Sequence, residues 1–135
     1  MVENIHPRQV WEVLQSNPDA RLVDVRTDAE WNFVGIPSLS AVGQEPVLIP
    51  WQVYPTMQVN AAFTDHLRRA GVEPRHQVYF ICRSGARSLA AAQAARAAGF
   101  PHVYNVADGF EGQLDRDGHR GVGGWRAEGL PWRQK

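Results

Sequence analysis

The chain holds one cysteine, Cys82, in the run Val78-Tyr79-Phe80-Ile81-Cys82-Arg83-Ser84-Gly85-Ala86-Arg87-Ser88. The apolar residues before it read as a buried strand, and the alanine-rich residues after it read as a helix. Cys82 is then expected at the carboxyl end of a strand and facing a helix N-terminus. Unpaired N–H groups and the helix dipole favour negative charge there. Successive amides in such a turn form an anion-binding nest, and a thiol held there is favoured as thiolate, its nucleophilic form. Gly85 supplies backbone freedom where a side chain would obstruct the cradle. Arg83 and Arg87 are placed to hold an incoming oxyanion, Ser84 and Ala86 complete the lining, and Ser88 supports it from the first turn of the helix. A cysteine that only fills a core needs neither the arginines nor the glycine nor so abrupt a helix start.

The elements that must position this loop are legible around it. Pro7 suits a first helical position, with Val10, Trp11 and Leu14 following at helical spacing, and Asn17-Pro18-Asp19 ends that helix. Residues 21–26, Arg-Leu-Val-Asp-Val-Arg, read as a buried strand with charge at its end. Asp24 is expected to support the framework. Arg26 either reaches the mouth of the site to hold an anion or pairs as framework. Thr27 or Asp28 caps a short helix carrying Glu30, Trp31 and Phe33, with Glu30 and Trp31 assigned to capping and packing. Val47-Leu48-Ile49 is a third strand. Asn60 caps a helix over Phe63, Leu67 and Ala70 that Gly71 closes. After the helix to Ala98, Val103-Tyr104-Asn105-Val106 is another strand, and a glycine-rich loop leads to a short helical piece with Trp125. Strands alternating with helices predict an α/β fold over residues 1–135: a central parallel sheet of about five strands with helices on both faces.

Bulk properties narrow the function classes. The chain of 135 residues can bury a core without staples, and 44% apolar with 21% charged residues is ordinary for a globular protein. No run is long and apolar enough to span a membrane, and the N-terminal residues lack the basic-then-apolar order of a secretory signal. A lone cysteine forms no internal disulfide, which agrees with a reducing, cytoplasmic setting. Net charge is zero, but residues 1–65 hold three arginines against eight carboxylates and residues 66–135 hold eleven basic residues against six. Thirteen of the fourteen basic residues are arginine, whose fork suits oxyanions. With no basic run and no binding motif, nucleic acid is not an expected partner. The five histidines are dispersed without zinc spacing, and Gly118–Gly124 lacks the strand–glycine–helix order of a nucleotide loop.

Taken in order, these residues resemble the rhodanese-like sulfurtransferases over nearly the whole chain. Leu22-Val23-Asp24-Val25-Arg26 with Glu30 and Trp31 is similar to the family's early strand and the acidic–aromatic pair after it. Cys82 to Ser88 is similar to its active-site loop, Val106-Ala107-Asp108-Gly109-Phe110 to its final strand and glycine turn, and Trp125, Gly129, Leu130 and Pro131 to its closing segment. The resemblance implies ping-pong covalent catalysis. Cys82 would take the outer sulfur of a small anionic donor such as thiosulfate, hold it as a persulfide, and pass it to cyanide or a thiol. The loop amides of residues 83–87 would stabilise thiolate and persulfide. No metal or organic cofactor is implied. Related phosphatases and arsenate reductases use a loop one residue longer between cysteine and arginine; the shorter Cys82–Arg87 spacing favours sulfur. A second reading keeps Cys82 but makes the chain a relay that takes persulfide sulfur from a protein partner, with little turnover on small donors.

The sequence departs from that family after Trp31, where Val34-Gly35-Ile36-Pro37-Ser38-Leu39 lacks the family's histidine. Residues 39–60 are longer than a minimal domain requires, and form a lid, a partner surface or a loop packed over one sheet face. Residues 111–124 form a second insertion that either borders the site or decorates the surface.

Overall fold

The computed structural model describes residues 2–53 and 55–135. In chain order the elements are β1 (Glu3–Ile5), α1 (Pro7–Ser16), β2 (Ala20–Asp24), α2 (Asp28–Val34), β3 (Ile36–Pro37), a 3₁₀ turn (Ser40–Val42), β4 (Val47–Leu48), β5 (Gln52–Val53) and β6 (Gln58–Val59). They continue with α3 (Phe63–Arg69), β7 (Gln77–Ile81), α4 (Ala86–Ala97), β8 (Val103–Val106) and β9 (Trp132–Arg133). Five strands form one sheet in the order β1-β8-β7-β2-β4, and every pairing in it is parallel. The strand that leads into Cys82, β7, is therefore central, with β2 on one side and β8 on the other. Parallel strands buried on both faces need near-continuous apolar sequence, and Val78-Tyr79-Phe80-Ile81 supplies it.

Period-two alternation sorts the strands' side chains between two cores. Val23, Val25, Val78, Phe80 and Cys82 pack with Phe63 and Leu67 of α3 and with Ala91, Ala92 and Ala95 of α4. Leu22, Tyr79, Ile81 and Val106 pack on the opposite face with Val10 and Leu14 of α1 and with Phe110, Trp125 and Leu130. The alanine stripe of α4 lets that helix lie close over β7 and β8. Its N-terminus is thereby fixed against the end of the strand that delivers Cys82.

Differences from the sequence expectations have local causes. Edge strand β1, pairing Glu3 to Ile5 with Tyr104 to Val106, carries no apolar run, being exposed along most of its length. The early strand ends at Asp24, although Val25 still donates its N–H to Ile81 O at 2.9 Å. Asn60 turns the chain rather than capping the helix directly: its Oδ1 accepts from Ala62 N at 3.1 Å, and α3 begins at Phe63. The residues around Trp125 form turns, held by Trp125 N to Gly109 O at 2.8 Å and Trp125 Nε1 to Pro131 O at 2.7 Å; the surrounding glycines do not sustain a helix. The segment after β3 divides between the faces: Leu39 and Val42 pack on the α1 face, while Val47, Ile49 and Trp51 pack on the α3 face, Trp51 edge-on to Phe63 at 5.3 Å between ring centroids.

Candidate active site

Cys82 follows the last residue of β7, and its Sγ accepts hydrogen bonds from Gly85 N at 3.1 Å and Ser88 Oγ at 3.2 Å. Gly85 stands at the N-terminus of α4 with φ of 118°, a conformation that side chains rarely adopt, and its N–H points back onto the sulfur. Cys82 is almost fully buried, at 1% exposure. Ser88 has one hydroxyl hydrogen and three acceptors in reach: Cys82 Sγ, Gly85 O at 3.2 Å and Asn105 Oδ1 at 2.5 Å. Asn105 Nδ2 in turn donates to Gly85 O at 3.1 Å and Asn4 Oδ1 at 2.8 Å. The buried asparagine thus holds both groups that touch the sulfur.

The backbone behind the loop is equally constrained. Cys82 O accepts from Phe110 N at 2.8 Å, and Arg83 O accepts from Glu111 N at 3.0 Å. A Cβ on Gly109 would stand 2.4 Å from Cys82 O, so the glycine after β8 permits the close approach of the two loops. Gln113 Nε2 donates to Ser84 O at 2.5 Å, which makes the 111–124 segment a border of the site. Arg83 and Ala86 are exposed and Ser84 half-buried at the loop surface.

The arginines separate. Arg87 donates to both carboxylate oxygens of Glu30, at 2.7 and 2.9 Å. Glu30 also closes a capping box with Thr27 at the start of α2. Burial pushes the Glu30 carboxyl up, but the Arg87 guanidinium and the Thr27 N–H outweigh it and hold Glu30 below its usual range. Arg87 is raised, first by its hydrogen bonds to Glu30 and against the cost of burial, with Cys82 and Asp24 adding to the same field. Arg26 is fully buried and bidentate to Asp24, with Nε to Oδ1 at 3.0 Å and Nη2 to Oδ2 at 2.7 Å. It also donates to Gly35 O at 2.8 Å and stacks over Phe110 at 4.3 Å. The structure therefore places Arg26 in the framework and not at the mouth, because its charge is compensated by Asp24 two residues earlier on the same strand end.

The structure brings together Cys82, Arg83, Ser84 and Gly85 of the turn with Ala86, Arg87 and Ser88 of the first turn of α4, and Asp24 lies beside them, paired with Ile81 at the end of β7, with Arg26 bound to it. Sequence reasoning missed Asn105 and Asn4 and gave Glu30 only half its role. The signal for Asn105 is an amide in the otherwise apolar strand 103–106; a buried amide needs partners. Among the described residues no group of three His, Cys, Asp or Glu side chains is arranged to hold a metal ion. No helix among them is long and apolar enough to cross a membrane.

This arrangement, a cysteine at the end of a central parallel strand cradled by a helix N-terminus, is that of a known class. The Rhodanese-like domain family profile matches residues 6–115, and the chain belongs to that family. It is similar to the uncharacterized protein RC0915 of Rickettsia conorii, 37% identical over 132 residues covering 97% of both chains. In structure it is similar to Rv0390 from M. tuberculosis, with a TM-score of 0.89, 50% identity, and coverage of 99% of this chain and 98% of that one. It is also similar to the polysulfide-sulfur transferase homodimer of Wolinella succinogenes, with a TM-score of 0.67, 25% identity, and coverage of 99% and 80%. Sulfur transfer is the chemistry these likenesses support in general.

Proposed function

We propose that the chain is a sulfurtransferase that carries sulfane sulfur as a persulfide on Cys82, with residues 1–135 acting as one rhodanese-like unit in the cytoplasm. The observation that carries this reading is the Gly85 N–H donated to Sγ, with the Ser88 hydroxyl also within reach of the sulfur, at the start of α4. Preorganised donors of this kind stabilise a sulfur anion without reorganisation during the reaction. In the first half-reaction the Cys82 thiolate attacks the outer sulfur of a donor such as thiosulfate. The donor's S–S bond breaks, sulfite leaves with the electron pair, and the cysteine becomes a persulfide anion. In the second, cyanide or a thiol attacks the outer sulfur and the thiolate returns. Arg83, with Ser84, Gly85, Ala86 and Arg87 around it, forms the surface a donor meets.

A second reading, transfer from a protein persulfide with little turnover on small anions, is favoured by one observation: Arg87 is already paired with Glu30. Intact mass tests the chemistry common to both. Thiosulfate should add one sulfur, about 32 Da, that cyanide removes and that Cys82→Ala never acquires. A wild-type protein with a free thiol that gains no sulfur from thiosulfate or from a persulfide overturns the proposal. Steady-state turnover then separates enzyme from relay.

A further inference from the structure

We propose that Glu30 sets the charge selectivity of the site, favouring sulfur donors of low negative charge, such as persulfides of uncharged thiols, over dianionic thiosulfate. The inference rests on the sulfur-transfer reading and deepens it. Arg26, Arg83 and Arg87 are the arginines the sequence offers to hold an anion, but two are compensated. Arg26 is closed off with Asp24 at zero exposure, and Arg87 meets both oxygens of Glu30. Arg83 alone is exposed and in no ion pair among the described residues.

Glu30 is also not free to swing aside. Its Oε1 accepts from Thr27 N at 3.3 Å and Thr27 Oγ1 at 3.1 Å, so the capping box of α2 holds the carboxylate against Arg87. A dianion approaching a thiolate past this pair meets one free guanidinium where the loop itself carries two arginines. Coulomb energy is linear in the donor's charge, so Glu30 penalises a dianion twice as much, on a logarithmic scale, as a monoanion. An uncharged reagent is indifferent to it. Either donor transfers its outer sulfur with cleavage of its own S–S bond, the electron pair leaving with sulfite or with the small thiolate.

Glu30→Gln removes the charge and keeps an oxygen able to serve the capping box. Sulfur loading of Cys82 is followed by intact mass at low ionic strength, with thiosulfate and with the persulfide of 2-mercaptoethanol. Each rate is divided by that of alkylation with uncharged iodoacetamide, which cancels changes in thiolate reactivity. In Glu30→Gln the thiosulfate ratio should rise about tenfold and the persulfide ratio about threefold, and added salt should shrink both gains. The double variant Glu30→Gln/Arg87→Gln should return the thiosulfate ratio to within about twofold of wild type, since a balanced pair has been removed as a pair. An unchanged or lower thiosulfate ratio in Glu30→Gln overturns the inference. So does a double variant that falls about tenfold below wild type, because Arg87 would then be serving the dianion despite Glu30. Iodoacetate against iodoacetamide reads the same field without sulfur chemistry. That ratio should rise about threefold in Glu30→Gln, so failed sulfur loading with a shifted alkylation ratio would sink the proposed function and leave the charge selectivity standing.

Discussion

Two bidentate arginine–carboxylate pairs flank the Cys82 loop at the same closest distance and different depth. Arg26 and Asp24 meet at 2.7 Å with neither side chain exposed, while Arg87 and Glu30 meet at 2.7 Å with 19% of each side chain exposed. The deeper pair joins the end of β2 to Gly35 and Phe110. The shallower one joins α2 to the helix that opens at the cysteine. Depth decides their roles. A pair without solvent keeps its charges only through each other and acts as framework, whereas a pair at the surface shapes the field a substrate meets.

The largest effect should come from breaking the deep pair. Asp24→Asn preserves shape but strands the Arg26 charge among buried groups, and its Nη1 already lacks a partner among the described residues. Loss of one member of a buried pair costs about 3–5 kcal/mol, which denaturant titration should show as a lowered midpoint. A loss below about 1 kcal/mol would mean that water or a rearranged carboxylate reaches Arg26, and the contrast between the two pairs would collapse.

A somewhat smaller effect should follow at the seam between the two regions. Gly109→Ala places a methyl group against Cys82 O and Arg83 O at a backbone with φ of 60°. Left-handed strain together with overpacking should cost about 2–4 kcal/mol. The loop must also move, so sulfur loading should fall more steeply than the folded fraction does. Equal losses of loading and fold would make Gly109 a purely structural glycine. Unchanged stability would show that the two loops do not hold each other.

What the sequence makes legible follows the same division by depth. The Cys82 loop is readable because strand, turn and helix signals converge within eleven residues, and local backbone chemistry alone points the Gly85 N–H at the sulfur. The central strands are readable because burial on both faces demands unbroken apolar runs. Edge strand β1 is not, since Glu3-Asn4-Ile5 is mostly exposed and its pairing is dictated by β8 a hundred residues away. Arg26 is ambiguous in sequence for a related reason: a charge at a strand end reads the same whether a neighbouring loop covers it or leaves it open. Here Phe110 covers it. Glu30 reads correctly as a capping residue, yet its partner Arg87 lies 57 positions away, beyond any local pattern. Asn105 is visible as an anomaly in an apolar strand, but only the fold shows that it faces Ser88.

The smallest effect distinguishes the shallow pair by its pH response. The folded-state pKa of Glu30 lies below the usual 4.5, lowered by Arg87 and Thr27 against burial. A carboxyl lowered by folding contributes stability that is fully present above its unfolded pKa and is lost as pH falls through the folded one. The stability difference between wild type and Glu30→Gln, of about 1 kcal/mol for a partly exposed pair, should therefore be constant between pH 6 and pH 8, a range set by that unfolded pKa. It should shrink as pH falls below 4.5, where the wild-type carboxylate takes up the proton that Gln never needs. Urea titrations of both proteins across that range measure the difference directly. A difference that persists undiminished at acid pH would locate Glu30's contribution in its packing and cap rather than in the Arg87 pair. The field at the mouth would then have to come from Arg83 and the α4 N-terminus alone.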